Sequence, residues 1–389
     1  MRVLVNTLSI GSLSGQHVVL GFLSRLIPWT AGEHEFVLLH DERSELPESV
    51  LGPHVRPLPV SGRLRNWIRR SVWETTRFPA LLRDNRIDLL LNPSGALLPN
   101  VSIPQVVLCQ NPWCFVKAAQ QGPVEAVKAR LQQSGYRRAF QQADLNLFIS
   151  DHLRTLYRQG AGSGPQAPSD IAYVGVNDET FAAAGALRDR VLRQSNLIVS
   201  VSAMARWKGV ETLVAAVARL RQQGCPALLK LVGPWPDPAY HQQIRRQIDE
   251  SNLTDAVEIT GKVSKDALHR CYAEARVFAL LSHCESFGIP AAEAQAFGTP
   301  AVVTTGCAMP EVCGDGAITV PPDDISAAAD AIQTLLESEV DWSRRSEASL
   351  SNVERFRWEL TARPFLKMFS LGRPSPSHKS VPTAEAISA

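Results

Sequence analysis

No run of about 18 apolar residues occurs in the chain, so the sequence predicts no segment that spans a bilayer as a helix. Charge of one sign is not in excess either. Forty Lys and Arg against 38 Asp and Glu leave a formal charge of +2, which does not suggest a nucleic-acid binder. The seven cysteines, Cys109, Cys114, Cys225, Cys271, Cys284, Cys307 and Cys313, include no C-x-x-C pair and are odd in number. They read as reduced thiols, mostly small core residues, and point to a cytoplasmic protein. Met1–Leu8 has too short an apolar run for a secretory signal and reads as a first strand. The dinucleotide fingerprint is missing as well. The loop Gly11-Ser12-Leu13-Ser14-Gly15 has the spacing G-x-x-x-G, and no ribose-binding acid is expected at the end of a second strand, 35–39, which argues against an NAD site.

What is present is ordinary globular material. A chain of 389 residues, 45% hydrophobic and 20% charged, is too long for one ordinary domain. Two domains of about 150–200 residues each are the natural expectation.

The most informative stretch covers 277–324, VFALLSHCESFGIPAAEAQAFGTPAVVTTGCAMPEVCGDGAITVPPDD. Val277–Leu281 is short and apolar enough to be a buried strand of a parallel sheet. A tight Ser286-Phe287-Gly288 turn follows Glu285. Pro290 sits where a helix favours its first residue, because that position needs no backbone donor. Gly298 closes the helix 291–297, and Pro300–Val303 is the next strand. Glu285 then projects from a strand end and Glu293 from the first turn of the helix, at the edge where open parallel sheets bind ligands. Gly288 lets backbone approach a ligand, and free amides at the helix start attract an anion such as a diphosphate. Two carboxylates beside an anion site make sense as acceptors for hydroxyl groups. A nucleotide sugar offers that combination: a diphosphate flanked by a ribose diol and a sugar.

The spacing Glu285-x7-Glu293, within ESFGIPAAEAQAFGTPAV, resembles the E-x7-E signature of retaining glycosyltransferases of the GT-B fold, family 4. Met309-Pro310-Glu311-Val312 and Gly314-Asp315-Gly316-Ala317 also match that family's pattern. The resemblance implies that Glu293 accepts hydrogen bonds from the ribose and that Glu285 holds the hydroxyls of the donor sugar. The amides of Phe287, Gly288 and Ile289, with Lys208, would hold the diphosphate and sugar. Lys208-Gly209 fits the family's G-R-x-x-x-x-K-G, but Ala203 stands in the arginine's place and Arg206 is the candidate replacement. Cations at this point stabilise the charge that builds on a leaving diphosphate, each by about 2–4 kcal/mol. Gly261–Val263 would border the nucleobase through backbone, with Gly233 at the neighbouring strand end. Gly15 would face the donor phosphates or the acceptor, and His17 is either a cleft residue or a helix-facing histidine. Relatives often carry a histidine followed by Asp or Asn where this chain has Gln110-Asn111, which leaves hydrogen bonding by neutral amides. No D-x-D motif and no enzyme nucleophile stand out. The resemblance implies no metal, no other cofactor, and a front-face route in which the leaving phosphate oxygen helps deprotonate the acceptor.

Elsewhere the amino half reads as strands at 3–5, 35–39, 88–91, 105–109 and 145–150, with a helix 16–26 after the first. Residues 62–83 form a basic, aromatic helical segment suited either to an anionic membrane surface or to a surface helix with tryptophans packed inward. The basic helix 122–142 reads as a solvated face. Tyr173-Val174-Gly175-Val176-Asn177 with Phe181 resembles the family's hinge segment, which puts the domain boundary between Phe181 and Gln194. Strands at 197–202, 229–232 and 257–260 and helices at 210–222, 265–275 and 325–336 complete the second domain. Residues 355–369 resemble a last helix crossing back to the amino domain, kinked at Pro364. The Pro-, Ser- and Thr-rich 372–389 reads as a disordered tail.

The expected fold class is therefore α/β, two facing Rossmann-like domains with a cleft between them. Residues 1–185, completed by 355–370, would form the acceptor domain and 195–354 the nucleotide-sugar domain. The expected function is retaining transfer of a hexosyl group from a nucleotide diphosphate sugar to a glycan or lipid-linked saccharide, as in cell-surface polysaccharide synthesis. Expected partners are that donor and acceptor, no nucleic acid, and an inner membrane face touched through 62–83. An inactive nucleotide-sugar binding module and a nucleotide-sugar epimerase on the same fold are the alternatives. Donor turnover and product analysis separate them.

Overall fold

Runs of Val, Leu and Ile buried on both faces build two parallel sheets, which is how such runs are used when helices cover both sides. The computed structural model describes residues 1–10, 13–43, 46–117, 120, 122–188 and 190–371, with backbone alone at Ser9, Leu13, Ser14 and Ser49. The tail expected at 372–389, and residues 11 and 12 of the glycine loop, lie outside the described residues.

The amino-terminal sheet comprises β1 (Arg2–Asn6), β2 (Glu35–Asp41), β3 (Val55–Val60), β4 (Leu89–Asn92), β5 (Gln105–Cys109), β6 (Leu145–Phe148) and β7 (Ser169–Ile171). Its order is β3-β2-β1-β4-β5-β6-β7, every pair parallel. Helices α1 (Leu13–Trp29), α2 (Trp67–Thr76), α3 (Phe78–Asp84), α4 (Gly122–Gln142) and α5 (Asp151–Ala161) connect the strands. Val18 and Phe22 of α1 share a core with Val3 and Val5, while Phe78 and Leu82 of α3 share another with Leu4, Val37 and Leu90. Alternate β1 residues point to opposite faces, so α1 and α3 lie on opposite sides of the sheet.

Several expectations need correction here. β3 was not foreseen because Pro57 and Pro59 argue against a strand. It forms at the sheet edge, where a proline needs no donor on its outer side. β2 runs on to Asp41, so an acid does close the second strand; its carboxylate pairs with Arg65. The helix expected over 62–83 is broken into a 3₁₀ turn, Gly62–Arg65, then α2 and α3. Asn66 restarts the helix by accepting from the Ile68 and Arg69 amides at 3.1 and 3.2 Å, and Pro79 fits only at the start of a new one. α1 begins at Leu13, so Gly15 lies in its first turn and not in a loop.

After α6 (Asp178–Leu187), the carboxy-terminal sheet comprises β8 (Gln194–Val201), β9 (Leu228–Val232), β10 (Val257–Gly261), β11 (Ala275–Leu280), β12 (Ala301–Thr304) and β13 (Ala317–Val320). Its order is β10-β9-β8-β11-β12-β13. The helices are α7 (Val210–Gln222), α8 (Pro238–Glu250), α9 (Lys265–Glu274), α10 (Ile289–Ala296), α11 (Met309–Cys313), α12 (Ile325–Glu337) and α13 (Glu339–Val353). In each sheet the strand order reverses beside the first strand, β1 against β4 and β8 against β11. A crevice opens outside the carboxyl ends of strands at such a point.

The expected kinked helix at 355–369 is instead four short pieces: Glu354–Phe356, Trp358–Thr361, Arg363–Lys367 and Met368–Leu371. It does cross back to the amino domain. Phe365 stacks on Phe22 at 3.9 Å, and Trp358 donates to the Asn177 side chain at 3.2 Å. A Cβ on Gly21 or Gly175 would collide with the Trp358 indole, so both glycines accommodate one ring. Replacing Trp358 by Ala is expected to lower the unfolding free energy by about 3–5 kcal/mol, the usual cost of emptying a large buried site. A urea titration measures it, and a loss under about 1 kcal/mol would show that the crossover does not clamp the hinge.

Candidate active site

The loops after β8 and β11 are stitched together before any charge is considered. The Trp207 carbonyl accepts from the His283 amide at 2.8 Å and from the Ser282 hydroxyl at 3.0 Å. Ser282 is fully buried, and its own carbonyl accepts from the Thr304 hydroxyl. Gly209 has φ of +64°, and a Cβ there would collide with the Leu281 carbonyl. Only glycine lets these strand ends approach so closely. The result is an ion pair between Lys208 Nζ and Glu285 Oε1, with side chains only 16% and 11% exposed.

Glu285 leads into the turn that starts α10. Gly288, with φ of +86° against the Met309 sulfur, caps the helix, and Pro290 occupies its second position. The amides of Phe287, Gly288 and Ile289 have no protein acceptor among the described residues. The Phe287 side chain is buried behind them, edge-on to Phe356 at 5.1 Å, so its contribution at the site is its backbone. A helix start with unpaired amides, beside a lysine, has the electrostatics that favour an anion.

Glu293 is the fifth residue of α10, one turn later than expected, because the helix begins at Ile289 and not at Ala291. Its Oε2 accepts from the Tyr272 hydroxyl at 3.0 Å. Burial pushes its carboxyl up to about 7, a shift that the Tyr272 bond and the Lys265 charge only partly oppose. The group can therefore be neutral near pH 7 and ionises readily once a donor reaches it.

Arg206 is not brought to this pair. Its guanidinium bonds Asp237 at 3.2 Å and Gln243 at 3.0 Å and lies 5.0 Å over Tyr240. Residues 206–208 form a 3₁₀ turn, in which positions two apart point about 240° apart around the axis. Nearness in sequence to Lys208 was thus a poor guide, and Arg206 does not fill the place of the arginine absent at Ala203. Gly233 donates its amide to the Gly261 carbonyl at 2.8 Å, tying the ends of β9 and β10 together, and Val263 packs its side chain on the core. Gly15 is buried in α1. His17 bonds the Gly175 carbonyl at 2.9 Å beside Trp358, so it is a hinge-packing histidine, and burial lowers its pKa. Gln110 donates to Pro93 O at 3.0 Å, and the Asn111 side chain accepts from the Trp113 amide at 2.9 Å. Among the described residues no group of three or more His, Cys, Asp or Glu is placed to hold a metal.

Two contacts that the sequence did not disclose join the domains at this loop. Ser150 Oγ, at the start of α5, donates to Ser286 O at 2.8 Å. The Glu311 carboxylate accepts from the amides of Asp151 and His152 at 2.7 and 2.8 Å, capping the amino-domain helix from the other domain. Partners 136 to 160 residues apart leave no local signal.

The model for glycosyl transferases group 1 matches residues 188–351, which contain the Lys208–Glu285 pair and all of α10. Over these residues the chain is similar to the group 1 glycosyl transferases, and its fold is GT-B. The chain is 25% identical over 264 residues to the D-inositol 3-phosphate glycosyltransferase of Mycolicibacterium smegmatis, covering 66% of this chain and 59% of that one. It is 28% identical over 248 residues to a GDP-mannose-dependent alpha-(1-6)-phosphatidylinositol monomannoside mannosyltransferase of Mycobacterium tuberculosis, covering 59% and 62%. The match thus spans about 60% of the length of these relatives. In fold, sucrose-phosphate synthase from Thermosynechococcus elongatus superposes with a TM-score of 0.73 at 19% identity over 95% of this chain and 98% of that one. Anabaena HepE, in complex with UDP-glucose, does so with 0.70 at 16% over 95% and 99%.

Two outcomes are expected from this geometry. A carboxyl whose folded pKa is raised binds more protons when folded, so its cost to stability grows as pH rises from about 4.5 through about 7 and is complete above. Glu293→Gln should therefore gain about 1–3 kcal/mol over the parent at pH 8 and almost nothing at about pH 4. A Tm difference independent of pH would refute the burial. Glu311→Ala should speed hydrogen exchange at Asp151 and His152 by about tenfold or more, with Glu311→Gln between it and the parent. Unchanged exchange would show that the cap does not persist in solution.

Proposed function

We propose that the protein transfers a sugar from a nucleotide diphosphate sugar to a glycan or lipid-linked saccharide, with retention at the anomeric carbon. The observation that carries this is the enclosed Lys208–Glu285 pair beside the unpaired amides of Phe287, Gly288 and Ile289, with Glu293 further along the same helix. The diphosphate lies on those amides and on Lys208, which exchanges one partner for another. Glu285 then accepts from the sugar hydroxyls and Glu293 from the ribose. As the bond from C1 to the phosphate oxygen breaks, negative charge grows on the diphosphate, and fixed donors there lower the barrier. The acceptor oxygen forms its bond to C1 on that same face, and its proton passes to the departing phosphate oxygen. No enzyme nucleophile enters this route. Neutralisation of the diphosphate falls to Lys208 and the amides, without a metal ion. The mannosyltransferase relative named above depends on GDP-mannose and HepE binds UDP-glucose, which supports a nucleotide sugar as donor. All seven cysteines are free, in keeping with a reducing cytoplasmic setting.

A binding module without turnover is the second reading. It is favoured by the diversion of Arg206 to Asp237 and by Ala203 in the arginine's place. Calorimetry with UDP and GDP, followed by transfer assays with their sugars, separates the two. Glu293→Ala should weaken nucleoside diphosphate binding about tenfold, the loss of roughly one good hydrogen-bond pair. Glu285→Ala should leave that affinity nearly unchanged and lower turnover about 100-fold. Affinity in the parent should rise with pH through about 7, because hydroxyls donate to an ionised Glu293. Unaltered affinity in Glu293→Ala rejects the assignment, and binding without transfer in the parent establishes the module.

A further inference from the structure

Carbonyls around the turn before α10 accept hydrogen bonds, and one of the donors comes from the other domain. Glu285 O accepts from the Ala308 amide at 3.2 Å and Gly288 O from the Ala291 amide at 3.0 Å, both within the carboxy-terminal domain. Ser286 O accepts at 2.8 Å from the hydroxyl of Ser150, at the start of α5 in the amino-terminal domain. Ser150 lies outside the residues that the family model matches.

The Ser286 carbonyl and the Phe287 amide share one peptide plane. A trans peptide is planar, so its C=O and N–H point in opposite directions and turn together. A bond that holds the carbonyl toward Ser150 therefore aims the Phe287 N–H away from it, and also polarises that N–H. The Ser150 hydroxyl has a single proton to give. Its oxygen accepts from the Leu153 amide at 3.2 Å, as the cap of α5, which leaves the proton for Ser286. Ser150 is fully buried, so bulk water does not compete for that proton. The amides of Asp151 and His152 are taken by Glu311, so α5 is anchored to the carboxy-terminal domain beside the bond it makes to Ser286.

We propose that Ser150 is a positioning residue for the donor diphosphate: from the amino-terminal domain it sets the peptide plane whose N–H, that of Phe287, meets a phosphate oxygen. The inference rests on the donor reading given above and adds to it a residue of the other domain. Without the Ser150 bond the 286–287 peptide is free to rotate, and an amide turned aside gives up one charge-assisted hydrogen bond to the diphosphate. The amide of Ile289 has no such dependence, because its peptide carbonyl, Gly288 O, is held by α10 itself.

Ser286-Phe287 is the only Ser-Phe step in the sequence, so the full chain labelled with carbonyl-13C serine and 15N phenylalanine gives one cross-peak in a carbonyl–amide correlation spectrum. That peak reports the Ser286 carbonyl and the Phe287 amide together. In the parent, UDP or GDP should move the Phe287 amide, and uridine and guanosine should not. Ser150→Ala should shift the carbonyl resonance of the free protein and weaken UDP or GDP binding in calorimetry about tenfold or more, the loss of one hydrogen bond to a charged group. Ser150→Thr keeps the hydroxyl and should restore both. Glu311 still caps α5 in either variant, so each should fold. Parent affinity in Ser150→Ala overturns the positioning role, as does a carbonyl resonance that the substitution leaves in place. Binding by Ser150→Thr as weak as by Ser150→Ala also overturns it, since packing and not the hydroxyl then decides affinity. A parent that binds neither nucleotide, with the carbonyl still moved by Ser150→Ala, rejects the donor and with it the role, while the bond itself stands.

Discussion

The Trp207 carbonyl is where the carboxy-terminal domain becomes a site. Two bonds, from the Ser282 hydroxyl and the His283 amide, hold the turn after β8 against the end of β11, next to the reversal of strand order. Gly209 is there because any side chain would strike the Leu281 carbonyl. With the two ends fixed, Lys208 and Glu285, far apart in the chain, meet in a nearly enclosed pair. Such a pair is costly to break one partner at a time, since the survivor is left enclosed and uncompensated. A ligand that brought an anion for the lysine and hydroxyls for the glutamate would replace both partners at once, which is the physical basis of the proposed donor site.

The backbone that would hold the anion is supported from behind. Phe287 packs against Phe356, which itself belongs to the segment returning to the amino domain, and Tyr173 of the hinge completes the cluster. The turn can therefore offer its amides outward while its side chain is locked inward. Ser150 and Glu311 add polar ties between α5 and the same region. The turn before α10, the hinge and the crossover are therefore joined by direct contacts.

Legibility differs between the halves for a physical reason. In the carboxy-terminal domain, local rules act together: an apolar run buried on both faces, a glycine turn, a proline near the helix start and a glycine after its end. β11, α10 and β12 appear close to where those signals put them. In the amino-terminal domain the signals compete. Prolines in β3 argue against a strand that the sheet edge tolerates, and Asn66 and Pro79 break a helical pattern whose periodicity looks continuous.

By itself the sequence determined the two-domain α/β plan, the strand–turn–helix around Glu285 and Glu293, and the lysine–glycine turn, because each rests on conformational preferences of residues close in the chain. Only the tertiary structure decided that Lys208 pairs with Glu285 while Arg206 turns to Asp237, that burial raises the Glu293 carboxyl to about 7 against the opposing Tyr272 bond, and that Glu311 caps a helix of the other domain. Those outcomes depend on desolvation and on contacts across long loops, and neither quantity is a property of any short stretch of chain.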